Sequence, residues 1–210
     1  MVKFIKQTFV ILALLCYVQA YAEPVEGKDY TVINPAQPTS SGNKIEVLEF
    51  FFYGCSHCFN IHPLISAWEK KIPKDVQLTY VPTIFNDGME SMARTYYALE
   101  TLGKLDTLHD ELFNAWNVQK LDLRENNKAI NFVAQQGIDR KKFSDAFNAF
   151  SMQSKVMRSK QMAQSYNIRG TPTLIVDGKY MVAVLGPADS MRVMADLVDK
   201  VRKERASGKR

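Results

Sequence analysis

One short segment carries chemistry in its spacing: Gly54-Cys55-Ser56-His57-Cys58. Two cysteines three positions apart at the start of a helix stand about one turn apart, within reach of a small-ring disulfide. The first thiol then meets unpaired backbone N–H groups and the positive end of the helix dipole, which favour its anion. His57, protonated or donating a hydrogen bond, would push the same way. Cys58 sits one turn inside the helix and is the more buried thiol. That asymmetry assigns roles: Cys55 exchanges with a partner's sulfur, and Cys58 resolves the mixed disulfide. Stabilising the Cys55 anion also favours the dithiol over the disulfide, so the disulfide becomes an oxidant. About 1.4 kcal/mol shifts such a two-electron couple by about 30 mV.

Two plainer roles compete for the same residues. A disulfide closing over two intervening residues restrains little of the unfolded chain and stabilises weakly. Cys55, Cys58 and His62 have zinc-ligand spacing, but a structural site wants a fourth ligand from a second pair, and only His57 and His109 remain. No metal is expected. His62 and His109 read as ordinary surface or partly buried residues.

The 210 residues are 46% hydrophobic and 23% charged, which excludes disordered, collagenous and low-complexity classes. Three cysteines exclude a disulfide-dense mini-protein. Much of the net charge of +5 lies at the ends, in Lys3 and Lys6 and in Arg202, Lys203, Arg205, Lys209 and Arg210. No interior basic cluster is interleaved with aromatics, so no nucleic-acid partner is expected. Lys3 and Lys6, the apolar run Phe9 to Val18 and the small-x-small Ala20-Tyr21-Ala22 form an export leader, residues 1–22, cut after Ala22. The run is shorter than the roughly 20 apolar residues that span a bilayer. Removing 22 of 210 residues leaves a mature chain of 188 that keeps only Cys55 and Cys58. Disulfides persist in such exported locations.

The elements that must hold the pair follow from periodicity. Glu23 to Asn43 is a loop-like arm with one edge strand, Tyr30 to Ile33. Ile45 to Phe52 is nearly continuous apolar, the pattern of a strand covered on both faces. A helix starts at Cys55, with Ile61, Leu64, Ile65 and Trp68 at helical spacing and Pro63 expected to kink it. Val76 to Val81 reads as a strand, and the strand-helix-strand order favours a parallel crossover. From 87 to 166 only helical stripes survive, the fourth formed by Phe143, Ala146, Phe147 and Phe150 behind an Asp139 cap. Strands return at Thr173 to Val176 and Tyr180 to Val184 around Asp177-Gly178-Lys179, a hairpin signal. A last amphipathic helix carries Met191, Met194, Leu197, Val198 and Val201. The expectation is an α/β protein: a mixed sheet built by residues 23–86 and 167–210, with an all-helical insertion at 87–166.

Strand, Cys-x-x-Cys and helix, with Pro63 five residues after Cys58, resemble the thioredoxin pattern. Over a hundred residues later, Arg169-Gly170-Thr171-Pro172-Thr173 before an apolar strand matches its second element. With the leader, the helical insertion and the Cys-x-His-Cys form, the mature chain resembles the DsbA-type periplasmic thiol:disulfide oxidoreductases. That resemblance implies a thioredoxin-like fold with a central mixed sheet flanked by helices. It implies a cis bond before Pro172 facing the redox pair, with Thr171 offering its backbone to an extended substrate peptide. It also implies that Glu49, an acid in an apolar strand six residues before Cys55, lies beneath Cys58 and relays protons; the other reading is an edge carboxylate paired with a lysine. No cofactor beyond a Cys55–Cys58 disulfide is implied. The implied partners are reduced, unfolded exported proteins and a DsbB-like, quinone-linked membrane oxidase. Ser56 departs from the proline common at that position, which leaves the potential open. An isomerase or reductase of the same fold usually carries a dimerisation domain, and the arm from Glu23 to Lys44 is too short for one, so a monomer is expected. A chaperone or binding module with a structural disulfide is the alternative from another class.

Overall fold

The computed structural model describes residues 23–208; the leader assigned to residues 1–22, with Cys16, lies outside the described residues. Both ends of the described chain build one five-stranded sheet. Its strands are β1 (Tyr30–Val32), β2 (Ile45–Phe51), β3 (Val76–Pro82), β4 (Thr173–Val176) and β5 (Tyr180–Val182), in the spatial order β1-β5-β4-β2-β3. β2 runs parallel to β3 and antiparallel to β4. All seven of its residues are buried, which is what its unbroken apolar run requires of a central strand. The crossover from β2 to β3 is α1 (Ser56–Glu69), which continues through Pro63. β4 and β5 form a hairpin whose turn places Asp177 and Gly178 at positive φ. A side chain on Gly178 would meet the Gln37 carbonyl of the N-terminal arm.

Five helices lie between β3 and β4: α2 (Glu90–Thr101), α3 (Leu105–Asn117), α4 (Asn126–Gln135), α5 (Arg140–Phe147) and α6 (Phe150–Ser165). The chain closes with α7 (Pro187–Ala206), opened by proline in its first turn, where the missing N–H costs nothing. Asp139 caps α5, its carboxylate accepting the Lys142 N–H at 2.8 Å. One stripe is corrected. Phe150 does not extend the α5 face but begins α6, and it is 96% exposed, because α5 ends at Phe147 and the extended Ala149 redirects the chain.

The pleat of β2 decides what meets what. Leu48 and Phe50 face Val81, Ile175 and the end of α6. Val47 faces the other way, into a core shared by Ile61 and Ile65 of α1 and Val193, Leu197 and Val201 of α7. Phe51, four residues on, enters a second core with Tyr96, Leu99, Leu112, Phe113, Phe143 and Phe147 of the inserted helices. Glu49 lies between Val47 and Phe51 on that same face. Tyr53 and Cys58 also belong to the second core, so the inserted helices pack directly against the Cys-x-x-Cys segment.

That continuity predicts one cooperative unit. Phe143→Ala, at a fully buried site in α5, is expected to cost about 3–5 kcal/mol. Urea unfolding should show a single transition in both far- and near-ultraviolet circular dichroism.

Candidate active site

Two residues turn the chain from β2 into α1. Gly54 is wedged against two rings, and a Cβ there would overlap Phe52 and Trp116. Tyr53 is fully buried and tied to α3 twice: its hydroxyl pairs with His109 Nδ1 at 2.7 Å, and its carbonyl accepts the Asn117 amide at 2.9 Å. The Cys55 N–H donates to the Phe52 carbonyl at 3.0 Å. Cys55 is therefore delivered in extended conformation (φ −92°, ψ 116°) as the N-cap of α1. Its sulfur takes the place usually held by a serine or aspartate oxygen, accepting the Cys58 N–H at 3.3 Å.

The other wall comes from far along the chain. Pairing of Phe50 with Thr173 and Glu49 with Leu174 brings the segment before β4 beside Cys55. The Thr171–Pro172 bond is cis. As a thiol, Cys55 donates to the Thr171 carbonyl at 3.2 Å; ionised, the sulfur becomes an acceptor. Hydrogen bonding from the Cys58 side chain leads in pulling the Cys55 thiol down to about 5; burial opposes this, and the Thr171 side chain and the amides of Cys58 and His57 add to it. The His57 side chain is exposed, so its contribution runs through the main chain. Cys58 goes the other way. It is wholly buried, and burial, then its hydrogen bond to Cys55, raise its thiol far above the ordinary value. Both cysteines are free thiols here.

Glu49 is 1% exposed, and neither carboxylate oxygen has a hydrogen-bond partner in the protein. Burial first, then the charges of Glu69 and Cys55, push it up to about 8. Cys58 feels its charge as well. No lysine pairs with it among the described residues. Thus the structure gathers Cys55, Cys58, Thr171, Pro172 and Glu49 around one helix end, with only the main chain of His57.

The sequence reading missed two buried imidazoles. His62 and His109 are 6% and 8% exposed, with ring centroids 4.8 Å apart. His62 Nε2 pairs with Asp110 at 2.6 Å. The signal was available: His62 falls on the buried stripe Cys58, Ile61, His62, Ile65, and His109 follows Leu108 on the buried face of α3. Among the described residues no group of three or more His, Cys, Asp or Glu side chains is arranged to hold a metal. Beside Cys55 lies a cleft of about 480 Å³, lined by His57, Ile168, Thr171, Pro172, Val184 and Leu185 among others.

A capped, ionised thiol over a buried one, with an uncharged acid beneath, is suited to thiol–disulfide exchange. Comparison with known proteins points the same way. The family profile described as "DSBA-like thioredoxin domain" matches residues 46–199. The thiol:disulfide interchange protein DsbA of Burkholderia cepacia is 40% identical over 168 residues, 80% of this chain and 78% of that protein. The protein of the same name from Bordetella pertussis is 39% identical over 180 residues, 84% and 86% of the two chains. Among solved structures, Pseudomonas aeruginosa DsbA superposes with a TM-score of 0.82 at 30% identity, covering 89% of this chain and 97% of that one. The oxidoreductase NmDsbA1 of N. meningitidis gives 0.81 at 31% identity, covering 88% and 97%.

The two shifted acids make opposite predictions. A thiol depressed from 9.0 to about 5 contributes stability that is complete above the unfolded value and lost as pH falls through the folded one. The disulfide form has no such group. Thermal melts at neutral pH should find the dithiol protein the more stable, with the gap closing as pH falls towards 5. A carboxyl raised from 4.5 to about 8 contributes stability complete below 4.5 and lost as pH rises through 8. Glu49→Gln should therefore gain stability over the wild type across that window, by a few kcal/mol at about 1.4 kcal/mol per pKa unit. Below pH 4.5 it should gain none, which urea unfolding at either end of the window checks.

Proposed function

From the premise that the chain belongs to the DsbA-like thioredoxin-domain family, and is a protein-disulfide oxidoreductase, we propose that Cys55 and Cys58 form its redox centre and that it works as an oxidase. The observation that carries this is the contrast between the two sulfurs, one held as an anion near neutral pH and the other kept protonated. Energy that favours the dithiol is released when the disulfide is given away.

The steps follow from the geometry. A client thiolate approaches along the cleft beside Pro172 and attacks Cys55 Sγ, the more exposed of the two sulfurs. The Cys55–Cys58 bond breaks, its electron pair goes to Cys58 Sγ, and a mixed disulfide joins Cys55 to the client. Glu49, uncharged at neutral pH, gives Cys58 a proton. A second client thiolate then attacks the client's own sulfur, and Cys55 departs as the thiolate that the helix end stabilises. Thr171 supports an extended client through its main chain, and His57 supports the thiolate through its amide. No further cofactor takes part.

The setting is proposed on the sequence. Residues 1–22 direct export to the periplasm, with cleavage after Ala22. Re-oxidation falls to a quinone-linked membrane protein of the DsbB kind, which would take up the same cleft. The enzyme works as a monomer, in which residues 87–166 form a helical unit inserted in a thioredoxin-like unit of 23–86 and 167–210. Among the described residues no helix is long and apolar enough to cross a membrane.

Cys58→Ala is expected to leave clients trapped on Cys55, visible as adducts that a reductant removes. The wild-type disulfide should oxidise reduced ribonuclease faster than it repairs scrambled ribonuclease. Preference for the scrambled substrate, or a glutathione equilibrium at the potential of thioredoxin, would overturn the oxidase assignment.

A further inference from the structure

On the side of α1 away from the client cleft lies a second cleft, of about 640 Å³, which shares no lining residue with the first. It opens beside Ser66 and Glu69, eleven and fourteen residues beyond Cys55 in sequence and therefore roughly 16–21 Å along the helix. Its inner end is formed by His62, Tyr80, Tyr96 and His109. Two of these reach the ground beneath the redox pair. Tyr80 is the strand partner of Glu49, and its ring lies 4.9 Å from that of His109. His109 also packs on Phe51, two residues from Glu49 on the same face, and pairs with the Tyr53 hydroxyl, two residues further on.

Four buried polar atoms in this region have no hydrogen-bond partner in the protein: both Glu49 carboxylate oxygens, His109 Nε2 and His62 Nδ1. Groups of this kind are costly unless water satisfies them, and a polar site next to an open cleft has the partners that water needs. Reached only past Cys55, Glu49 would be cut off from solvent once a client covered that face.

We infer that His109 is a proton-positioning residue: the proton exchanged between Glu49 and Cys58 enters and leaves through the rear cleft, by way of water, His109 and the Tyr53 hydroxyl. The inference rests on the relay role proposed for Glu49. When the client thiolate displaces Cys58, the Glu49 O–H bond breaks and an S–H bond forms at Cys58. The carboxylate left behind recovers a proton from cleft water, replacing in net balance the one the client thiol released to solvent. No electrons move in this transfer, and in re-oxidation it runs in reverse. Burial, aided by the facing His62, holds His109 near 3. The imidazole is therefore neutral at working pH, able to accept at one nitrogen as it yields at the other. Tyr80, Tyr96 and Asp110, the partner of His62, are the titratable groups nearest this path, and Glu69, Lys70, Glu100 and Asp106 also line the cleft.

The test is single-turnover oxidation of a reduced two-cysteine peptide by the full-length disulfide enzyme, in light and heavy water, alongside ultraviolet titration of Cys55. His109→Phe fills the ring's place among Phe51, Tyr53 and Phe113; His109→Gln keeps a hydrogen-bonding side chain. The phenylalanine variant should be slowed about tenfold, less than the roughly hundredfold or more contributed by a group that itself transfers the proton to the reacting atom. It should show a larger solvent isotope effect and an unmoved Cys55 titration, and glutamine should recover part of the rate. A slow Glu49→Gln beside a His109→Phe of wild-type rate and isotope effect would overturn the route while leaving the Glu49 relay standing. Wild-type behaviour in Glu49→Gln would remove both. Equal slowing in both His109 variants with an unchanged isotope effect would assign His109 to packing alone and also overturn the route. Should the phenylalanine variant fail to fold, Ser66→Trp obstructs the cleft from its rim: a slowed, isotope-sensitive reaction supports the route, and wild-type kinetics defeat it.

Discussion

A sulfur atom acting as a helix cap is the contact on which the rest of this structure depends. Helices usually begin with an oxygen that accepts an N–H from the first turn. Here Cys55 Sγ takes that place, and the 3.3 Å bond from the Cys58 amide ties the cap to the thiol's own ionisation. Removing the charge weakens the helix end, and forming the disulfide replaces the cap altogether. The strand before it, the wedged Gly54, the twice-anchored Tyr53 and the Thr171 segment all serve to hold that atom in one position.

The second thiol gains its character by the opposite means. Cys58 is one turn away, yet it is closed off from bulk solvent and feels the charge of a buried carboxyl. The same burial that keeps Cys58 protonated raises Glu49 into the range where it can exchange a proton at neutral pH. Placing an unpartnered acid in a central strand is a poor choice for stability. The acid lies on the Phe51 face of the strand, near enough for its charge to act on Cys58. Hydrogen bonds to one sulfur and burial of the other thus set apart two chemically identical groups.

Much of this was legible in the sequence. The continuous apolar run of β2, the Cys-x-x-Cys segment and the hairpin signal at Asp177-Gly178 each act locally, so residue type and spacing suffice to read them. Phe150 misled because a helical stripe does not reveal where a helix breaks, and the turn at Asn148 and Ala149 carries no glycine or proline. His62 and His109 were underrated because their burial depends on α1 and α3 meeting across the sheet edge, a long-range event. His57 was credited from neighbouring spacing with a side-chain role; it is exposed at the cleft, and its amide is among the groups that lower the Cys55 thiol. Apolar periodicity locates elements; it does not say which of two adjacent polar groups will face inward.

The contact between Cys55 and Thr171 joins residues 116 positions apart. A ribosome makes the amino-terminal part first, so a growing chain carries both cysteines long before the segment that completes their surroundings exists. Until β4 has been synthesised and has zipped against β2, the pair lacks the wall that Thr171 supplies. The finished site and its own unfinished precursor thereby differ by one long-range hydrogen bond at the Cys55 sulfur.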